Sequence, residues 1–249
     1  MAYEVRTPIT QAMREGAISR KELKDLMKRS NKPALIRIII WIALLSFTSF
    51  LIWLSIGSWY LIPAMFIHGI ILVHHFSLQH ECCHYTAFKT RKLNDIIGSI
   101  CGFSIILPNQ HFRYEHCDHH TYTQLKGKDP ELIELPISIS KYLWYISSIP
   151  YWKNKFTEIY MHLWGRLSET EQKFIPKQEQ ATIFREARIM VSLYLIIFIT
   201  CLITNFWAPL WFWVGPLFLG EPVMRAIRLT EHVGRPNTDD LKENTRSSL

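Results

Sequence analysis

The chain has 249 residues, of which 49% are hydrophobic and 13% aromatic, and its formal net charge is +7 at pH 7. This length fits one domain, and residues 1–249 are predicted to form a single one because no shift in composition divides them. Nine basic residues lie between Arg6 and Arg37, directly before a long apolar run. Basic residues in that position are typical of a membrane protein with a cytoplasmic N-terminus, so the charge gives little support to a nucleic-acid partner.

Residues 1–33 are polar and basic. They are predicted to form a short amphipathic helix rather than a signal peptide, because no short apolar segment with a cleavage site precedes the long run. From Ile38 to His80, 43 consecutive residues include no Asp, Glu, Lys or Arg. A membrane-spanning helix needs about 20 apolar residues, so this run predicts a hairpin of two spans, near Ala34–Leu54 and Trp59–Leu78. The hairpin returns the chain to the cytoplasmic side at His80.

The middle of the chain lacks a run of spanning length. Residues 96–107 are apolar but too short to cross a bilayer, which favours a helix at the membrane surface. Residues 108–131 are polar and rich in histidine, and residues 132–164 alternate aromatic and basic side chains as interfacial helices do. These segments are predicted to form a cytoplasmic layer of helices.

A second uncharged run, 32 residues from Ile189 to Gly220, predicts another hairpin. Its spans are expected near Ile183–Thr204 and Trp207–Arg228, and it returns the chain to the cytoplasm at His232. The predicted fold class is therefore all-α: an integral membrane protein with about four transmembrane helices in two hairpins. A cytoplasmic helical cap carries the functional site.

Histidines are concentrated where the predicted hairpins leave the membrane. His80 and His84 are four residues apart, and His116 has partners three and four residues later. Side chains at these spacings project from one face of a helix, so each group can direct its imidazoles at a shared metal ion. The predicted topology places all six of these histidines on one side of the bilayer: His80, His84, His116, His119, His120 and His232.

The segment from His80 to His84 also has the pattern H-E-x-x-H, in which two histidines bind zinc and a glutamate, here Glu81, acts as a base. A membrane zinc metalloprotease is therefore an alternative function. It leaves the second group of histidines unexplained, since a zinc site needs only one further ligand. Imidazole binds iron as well as zinc, and a richer set of imidazoles favours two redox-active ions.

Taken together, these motifs resemble those of the membrane fatty acid desaturase family, whose members carry three histidine boxes. The resemblance covers about residues 30 to 249. It rests on three segments with their flanks: His80–His84 with Phe88 and Leu93–Asp95; His116–His120 with Thr123 and Asp129–Leu132; and Glu231–His232 with Asn244–Arg246.

The resemblance implies that the six histidines bind two iron ions. The implied reaction inserts a double bond into an acyl chain, with dioxygen as co-substrate and a membrane lipid or acyl carrier as substrate. No dinucleotide fingerprint or haem-binding domain is found, so electrons are expected from a separate donor such as a ferredoxin or cytochrome. No catalytic residue apart from the ligands is predicted, and Asp118 and Asp129 are candidates for orienting an imidazole.

The sequence departs from the family in one respect. The third box, a final H-x-x-H-H, does not occur before Leu249. The chain is thus predicted to be incomplete at its C-terminus relative to the family, to bind metal weakly and to have little or no turnover alone. A degenerate desaturase without catalytic activity is a further alternative.

The remaining histidines and the cysteines need no metal. His68, His74 and His75 are interpreted as polar groups satisfied between helices; the alternative is a role behind the metal ligands or along a substrate channel. His111 and His162 are predicted to be surface residues. A disulfide framework is not expected, and the cysteines in the histidine segments, Cys82, Cys83 and Cys117, are interpreted as small packing residues.

Overall fold

A computed structural model describes residues 13, 15–134, 138–235, 238 and 243–245, and every regular element longer than a turn among them is helical. In chain order the elements are α1 Arg20–Leu26, α2 Lys32–Ser55, α3 Leu61–Val73, α4 His75–Cys83, α5 Arg91–Ile105, α6 Asn109–Tyr122, α7 Ile139–Ile146, α8 Ile149–Leu163, α9 Glu171–Phe174, α10 Gln180–Thr204, a π-helical turn Leu210–Val214, and α11 Gly215–His232. The all-α prediction is confirmed.

Three helices in the described part of the chain are long and apolar enough to cross a membrane: Lys32–Ser55, Leu61–Cys83 and Gln180–Thr204. They correspond to three of the predicted spans. Their apolar side chains point outward, and Ile39 and Ile196 are 66% and 60% exposed. Such exposure would be unfavourable in water but suits a surface covered by lipid.

The fourth predicted span, Trp207–Arg228, has a different character. It begins with the π-helical turn, and α11 continues with Pro222 in its interior. Glu221 and Arg225 are buried in this helix and pair with each other at 2.7 Å. This segment is therefore not among the helices that are apolar enough to cross a membrane. The number of four spans stays a prediction.

A glycine contact between α3 and α11 sets the direction of the helices that carry the histidines. A Cβ on Gly69 would lie 2.0 Å from the carbonyl oxygen of Pro216, and one on Gly220 would lie 2.3 Å from the backbone of Gly69. Only glycine permits this approach. His80 follows Gly69 by 11 residues and His232 follows Gly220 by 12, so the two helices bring both histidines towards one end of the molecule.

Helix α6 is held in place by polar contacts from two sides. The backbone N–H groups of Asn109 and Gln110 donate to the carboxylate of Glu186 in α10, at 3.0 and 2.8 Å. An anion at a helix N-terminus satisfies donors that the helix itself leaves open. Further along α6, Arg113 pairs with Asp95 at 2.6 Å. These contacts fix the helix that carries the second histidine segment.

The buried His68 supports the interpretation of the membrane histidines. Its Nδ1 lies 2.7 Å from the Thr48 hydroxyl, within hydrogen-bonding distance across α2 and α3. His74 and His75 bond through Nδ1 to the backbone carbonyls of Ile70 and Leu72. Each of these polar side chains is therefore satisfied within the helices, as burial in an apolar setting requires.

Candidate metal centre

Four of the six predicted ligands form a compact group, which we call the central histidine group: His80, His84, His116 and His120. One nitrogen from each lies within 4.8 Å of the corresponding nitrogen of every other. The ring centroids of His116 lie 4.5 Å from those of both His80 and His120. This convergence agrees with the i, i+4 spacing of His80 and His84 at the end of α4 and of His116 and His120 in α6.

The other two predicted ligands form an adjacent pair, His119 and His232. Their ring centroids are 5.5 Å apart. His119 also lies close to the central histidine group, with centroid distances of 5.6 Å to His116 and 5.7 Å to His120. All six histidines thus lie in one neighbourhood, although they come from three segments that are far apart in sequence.

The Nδ1 atoms of three of these imidazoles are held by hydrogen bonds. His119 donates to Asp129 at 2.9 Å, His116 to Glu131 at 3.0 Å, and His232 to the backbone carbonyl of Asn244 at 3.0 Å. Such bonds fix the tautomer and leave Nε2 as the atom that can bind a metal. Nε2 of His116 is buried and has no hydrogen-bond partner.

Asp129 is one of the two carboxylates predicted to orient an imidazole, and it contacts His119. Asp118 is half-buried and makes no hydrogen bond to a histidine among the described residues. Sequence reasoning missed Glu131, which contacts His116 and pairs with Arg228. Its signal was present, because Glu131 lies two residues after Asp129 in the segment that follows the histidine helix.

The protonation of the imidazoles reflects this environment. Burial, assisted by neighbouring imidazoles, lowers the pKa of both His116 and His120 to about 4. Burial also acts to lower the pKa of His119, but its hydrogen bond to Asp129 and the charge of Glu131 raise it overall. His116 and His120 are therefore neutral at pH 7, the form in which imidazole binds a metal.

The residues of this centre fit a metal ion. One nitrogen from each of four imidazoles converges on the others, and carboxylates behind the rings can balance a positive charge. A set of imidazoles suits iron, zinc or copper rather than magnesium or calcium. Glu81 accepts a hydrogen bond from Thr86 at 2.8 Å and lies 3.7 Å from His80. A zinc-protease site built from His80, Glu81 and His84 would leave unexplained the imidazoles that lie against it.

The prediction that His111 and His162 are surface residues is wrong, because both side chains are fully buried. Nε2 of each approaches the same oxygen of Glu171, at 3.1 Å from His111 and 2.5 Å from His162. These residues belong to a second polar cluster, which we call the His111 cluster: His111, Glu115, Lys155, Glu158, His162 and Glu171. The contacts join α6, α8 and α9 and were invisible in the local sequence.

All five cysteines are free thiols. Cys82 and Cys83 are buried, as packing residues are, whereas Cys117 is exposed. One atom from each of Cys83, His84 and Cys117 lies within 4.8 Å of the other two. The central histidine group is therefore flanked by thiols on one side.

Comparison with known proteins gives consistent matches. The model of a family described as fatty acid desaturase matches residues 57–249. An sn-1 oleoyl-lipid 12-desaturase of Arthrospira platensis is 27% identical over 196 residues, which cover 72% of this chain and 52% of that protein. The enzyme of the same name from Anabaena variabilis is 28% identical over 116 residues, or 40% of this chain and 33% of that protein.

A chloroplastic omega-6 fatty acid desaturase of Spinacia oleracea is 30% identical over 74 residues, which cover 29% of this chain and 17% of the plant protein. The matched segments thus extend over at most about half the length of these relatives.

Proposed function

The chain belongs to the fatty acid desaturase family, and from this premise we propose that it is a membrane di-iron oxidoreductase that introduces a double bond into a lipid acyl chain. The observation that carries the proposal is the convergence of four histidines with a buried, unpartnered nitrogen on His116, and the adjoining pair His119 and His232. The proposed ligands are His80, His84, His116, His119, His120 and His232.

In this proposal the orienting residues act through the imidazoles. Asp129 and Glu131 hold His119 and His116 by Nδ1, and the backbone of Asn244 holds His232. Bound iron would supply the redox chemistry that activates dioxygen. Phe112 stacks on His116 with ring centroids 5.0 Å apart, and its ring would help to keep water away from the reacting carbon atoms.

The overall reaction needs only the acyl chain, dioxygen, two electrons and two protons. Two C–H bonds on adjacent carbon atoms break, one C=C bond forms, and dioxygen takes up two electrons and two protons from outside together with the two hydrogen atoms to give two water molecules. The two external electrons require a separate donor, for which we propose a ferredoxin or cytochrome. The hydrocarbon substrate would be carried by a membrane lipid or an acyl carrier.

We further propose four membrane crossings in two hairpins, with the N-terminus and the histidines on the cytoplasmic side. The basic residues before α2 support this orientation. The turns that would face the opposite side, Ile56–Ser58 and Asn205–Pro209, contain no charged residue. A cysteine placed in each turn and labelled from one side of sealed vesicles tests the topology, and labelling of either turn from the cytoplasmic side would contradict it.

Elemental analysis of the purified chain tests the metal assignment. After anaerobic loading with Fe(II), we expect weak iron binding that is lost when His116 is replaced by Ala. Retention of one zinc per chain with no affinity for iron would contradict the proposal, particularly if Glu81→Gln abolished a proteolytic activity.

The reaction itself is tested by the acyl composition of a bacterial host that lacks desaturases and expresses the chain together with a ferredoxin. New double bonds that depend on His116 support the proposal. Iron binding without new double bonds would favour the alternative of a non-catalytic family member. One structural observation supports that alternative. Among the described residues only two imidazoles, those of His119 and His232, lie together beside the central histidine group, which is a small set of ligands for a second iron ion.

A further inference from the structure

Two thiols meet beside the central histidine group although they come from different helices. Cys83 is the last residue of α4, and Cys117 lies in α6. One ligand atom from each of them, together with one from His84, lies within 4.8 Å of the other two. The interpretation of both cysteines as small packing residues accounts for the buried Cys83 but not for the exposed Cys117. The juxtaposition of the thiols therefore needs another explanation.

Arg113 holds the two helices in the positions that bring the thiols together. It lies four residues before Cys117 on α6 and therefore on the same face of that helix. Its Nε donates to the backbone carbonyl of Cys83 at 3.3 Å, and its guanidinium group pairs with Asp95 at 2.6 Å. The approach of the two thiols is thus set by the way in which α4 and α6 pack.

The three ligand atoms suit a soft metal ion. Thiolates favour zinc or copper(I) over magnesium or calcium, and zinc accepts two cysteines and one histidine with the fourth position open. Bonds to zinc of about 2.3 Å from sulfur and about 2.0 Å from nitrogen separate neighbouring ligand atoms by about 3.5–4 Å. Because the three atoms already lie within 4.8 Å of one another, small shifts of the side chains are enough to reach this geometry.

An ion can reach these ligands from solvent. Cys117 and His84 line an opening at the protein surface, next to Glu81 and Thr86. Cys83 is buried, so an ion held by all three residues would be shielded from water on its inner side. A divalent ion replaces the proton of each thiol, and two protons leave the site. The two thiolates then balance the charge of the ion.

We propose that Cys83, His84 and Cys117 form a binding site for zinc at the edge of the central histidine group. The site differs from the proposed iron centre in its chemistry, because two of its three ligands are thiolates. It shares only His84 with that centre. The zinc site does not rest on the proposed desaturation, since it depends only on the ligands that α4 and α6 bring together.

Cobalt(II), an optical substitute for zinc, tests the site in the full 249-residue chain. The chain is purified in detergent with a reductant that contains no thiol, and it is titrated with Co(II) in the absence of oxygen. Thiolate ligands give a sulfur-to-cobalt charge-transfer band in the near ultraviolet, which imidazole ligands do not give. We expect this band to appear, to saturate, and to be removed by an excess of zinc. A titration without the band overturns the proposal.

Serine variants locate the thiolate ligands. Cys117→Ser is the most informative, because Cys117 is exposed and its replacement should not disturb folding. Loss of a group behind a ligand typically lowers metal affinity about 10- to 100-fold, so loss of the ligand itself should lower cobalt affinity at least about tenfold. Cys83→Ser should have the same effect. Cys82→Ser is the matched control, because Cys82 is buried next to Cys83 but belongs to a hydrophobic cluster with Phe88. Unchanged affinity in Cys117→Ser, or an equal loss in Cys82→Ser, overturns the proposal.

Further measurements separate this site from its neighbours. His116→Ala removes a ligand of the proposed iron centre but no thiol, so iron binding should be lost while the charge-transfer band remains. Loss of the band in His116→Ala would assign the cobalt to the central histidine group and overturn the proposal. A zinc-protease site built from His80, Glu81 and His84 would keep its zinc in Cys117→Ser, whereas zinc at the proposed site would be lost in that variant.

Discussion

Helix α6 carries two histidine clusters that differ in what lies between the rings. His111, near its N-terminus, has a carboxylate within 3.1 Å of each ring nitrogen, Glu158 on one side and Glu171 on the other. His116, one and a half turns later, faces His80 and His120, and its single carboxylate lies behind it. In the first arrangement carboxylates lie beside both nitrogens of the ring, whereas in the second the imidazoles face one another.

The opposite arrangements have opposite effects on protonation. Burial acts to lower the pKa of His111, but the charges of Glu158 and Glu115 outweigh it and raise the pKa to about 10. Burial lowers the pKa of His116 to about 4, and the neighbouring imidazoles add to this effect. The carboxylates of the His111 cluster therefore balance a protonated ring, while the facing neutral imidazoles of the central histidine group are suited to binding a metal. Spacing alone does not separate a structural histidine from a ligand.

Replacing one histidine in each cluster should give the largest contrast. We expect His116→Ala to abolish most iron binding, because it removes a ligand at the middle of the central histidine group. His111→Ala should leave iron binding within about twofold of the wild type, since this ring contacts none of the proposed ligands, but should lower the thermal midpoint. Elemental analysis and thermal unfolding in the same detergent separate the two effects. Equal loss of iron in both variants would contradict the distinction.

Glu171, whose carboxylate contacts both His111 and His162, should have the next largest effect, which is on stability. Glu171→Gln removes the charge that His111 and His162 both contact and leaves buried imidazoles without their anion. Breaking a buried pair in this way costs about 3–5 kcal/mol. Denaturant or thermal unfolding measures the loss, and iron content should not change. Glu169→Gln is the matched control, because Glu169 is exposed two residues before Glu171, and a similar loss there would rule out a specific role for Glu171.

Asp129, which contacts the proposed ligand His119, should affect metal affinity rather than stability, and by less than the loss of a ligand. Asp129→Asn weakens the anion that holds Nδ1 of His119. Loss of such an orienting group typically lowers metal affinity about 10- to 100-fold. Competition with an iron chelator measures the affinity, and Glu134→Gln, at an exposed position five residues later, should not change it. An unchanged affinity in Asp129→Asn would remove Asp129 from the centre.

The pKa values predict opposite pH dependence for the two clusters. Because the pKa of His111 is raised from 6.5 to about 10, its contribution to stability is complete below pH 6.5 and is lost as the pH rises towards 10. For His116, whose pKa is lowered to about 4, the contribution of the neutral ring is complete above pH 6.5 and is lost as the pH falls towards 4. Thermal midpoints of the metal-free chain between pH 4 and 10 measure both effects. In His111→Ala the decline above pH 7 should be smaller, and an unchanged decline would contradict the assignment.

Much of the central site could be predicted from the sequence because its determinants are local. Uncharged runs indicate the long helices, and the i, i+4 spacing of His80 and His84 already implies a shared face. The burial of His111 and His162 could not be predicted, because the two rings pack against each other across 51 positions and share Glu171. The fourth span stays a prediction, because Glu221 and Arg225 pair with each other inside α11 and leave a helix that is apolar only in its first part.

The smallest expected effect is that of replacing Asp118, the second aspartate that the sequence predicted to orient an imidazole. Asp118 and Asp129 were equivalent candidates, but only Asp129 contacts an imidazole in the described residues. Asp118 lies on α6 immediately before His119, and successive side chains on a helix point about 100° apart. We therefore expect Asp118→Asn to change iron affinity by less than about twofold, and stability by no more than about 0.5 kcal/mol, as for most surface substitutions. A tenfold loss of affinity in the chelator competition would mean that Asp118 contacts a ligand once the metal is bound. The two aspartates would then differ only in the metal-free protein.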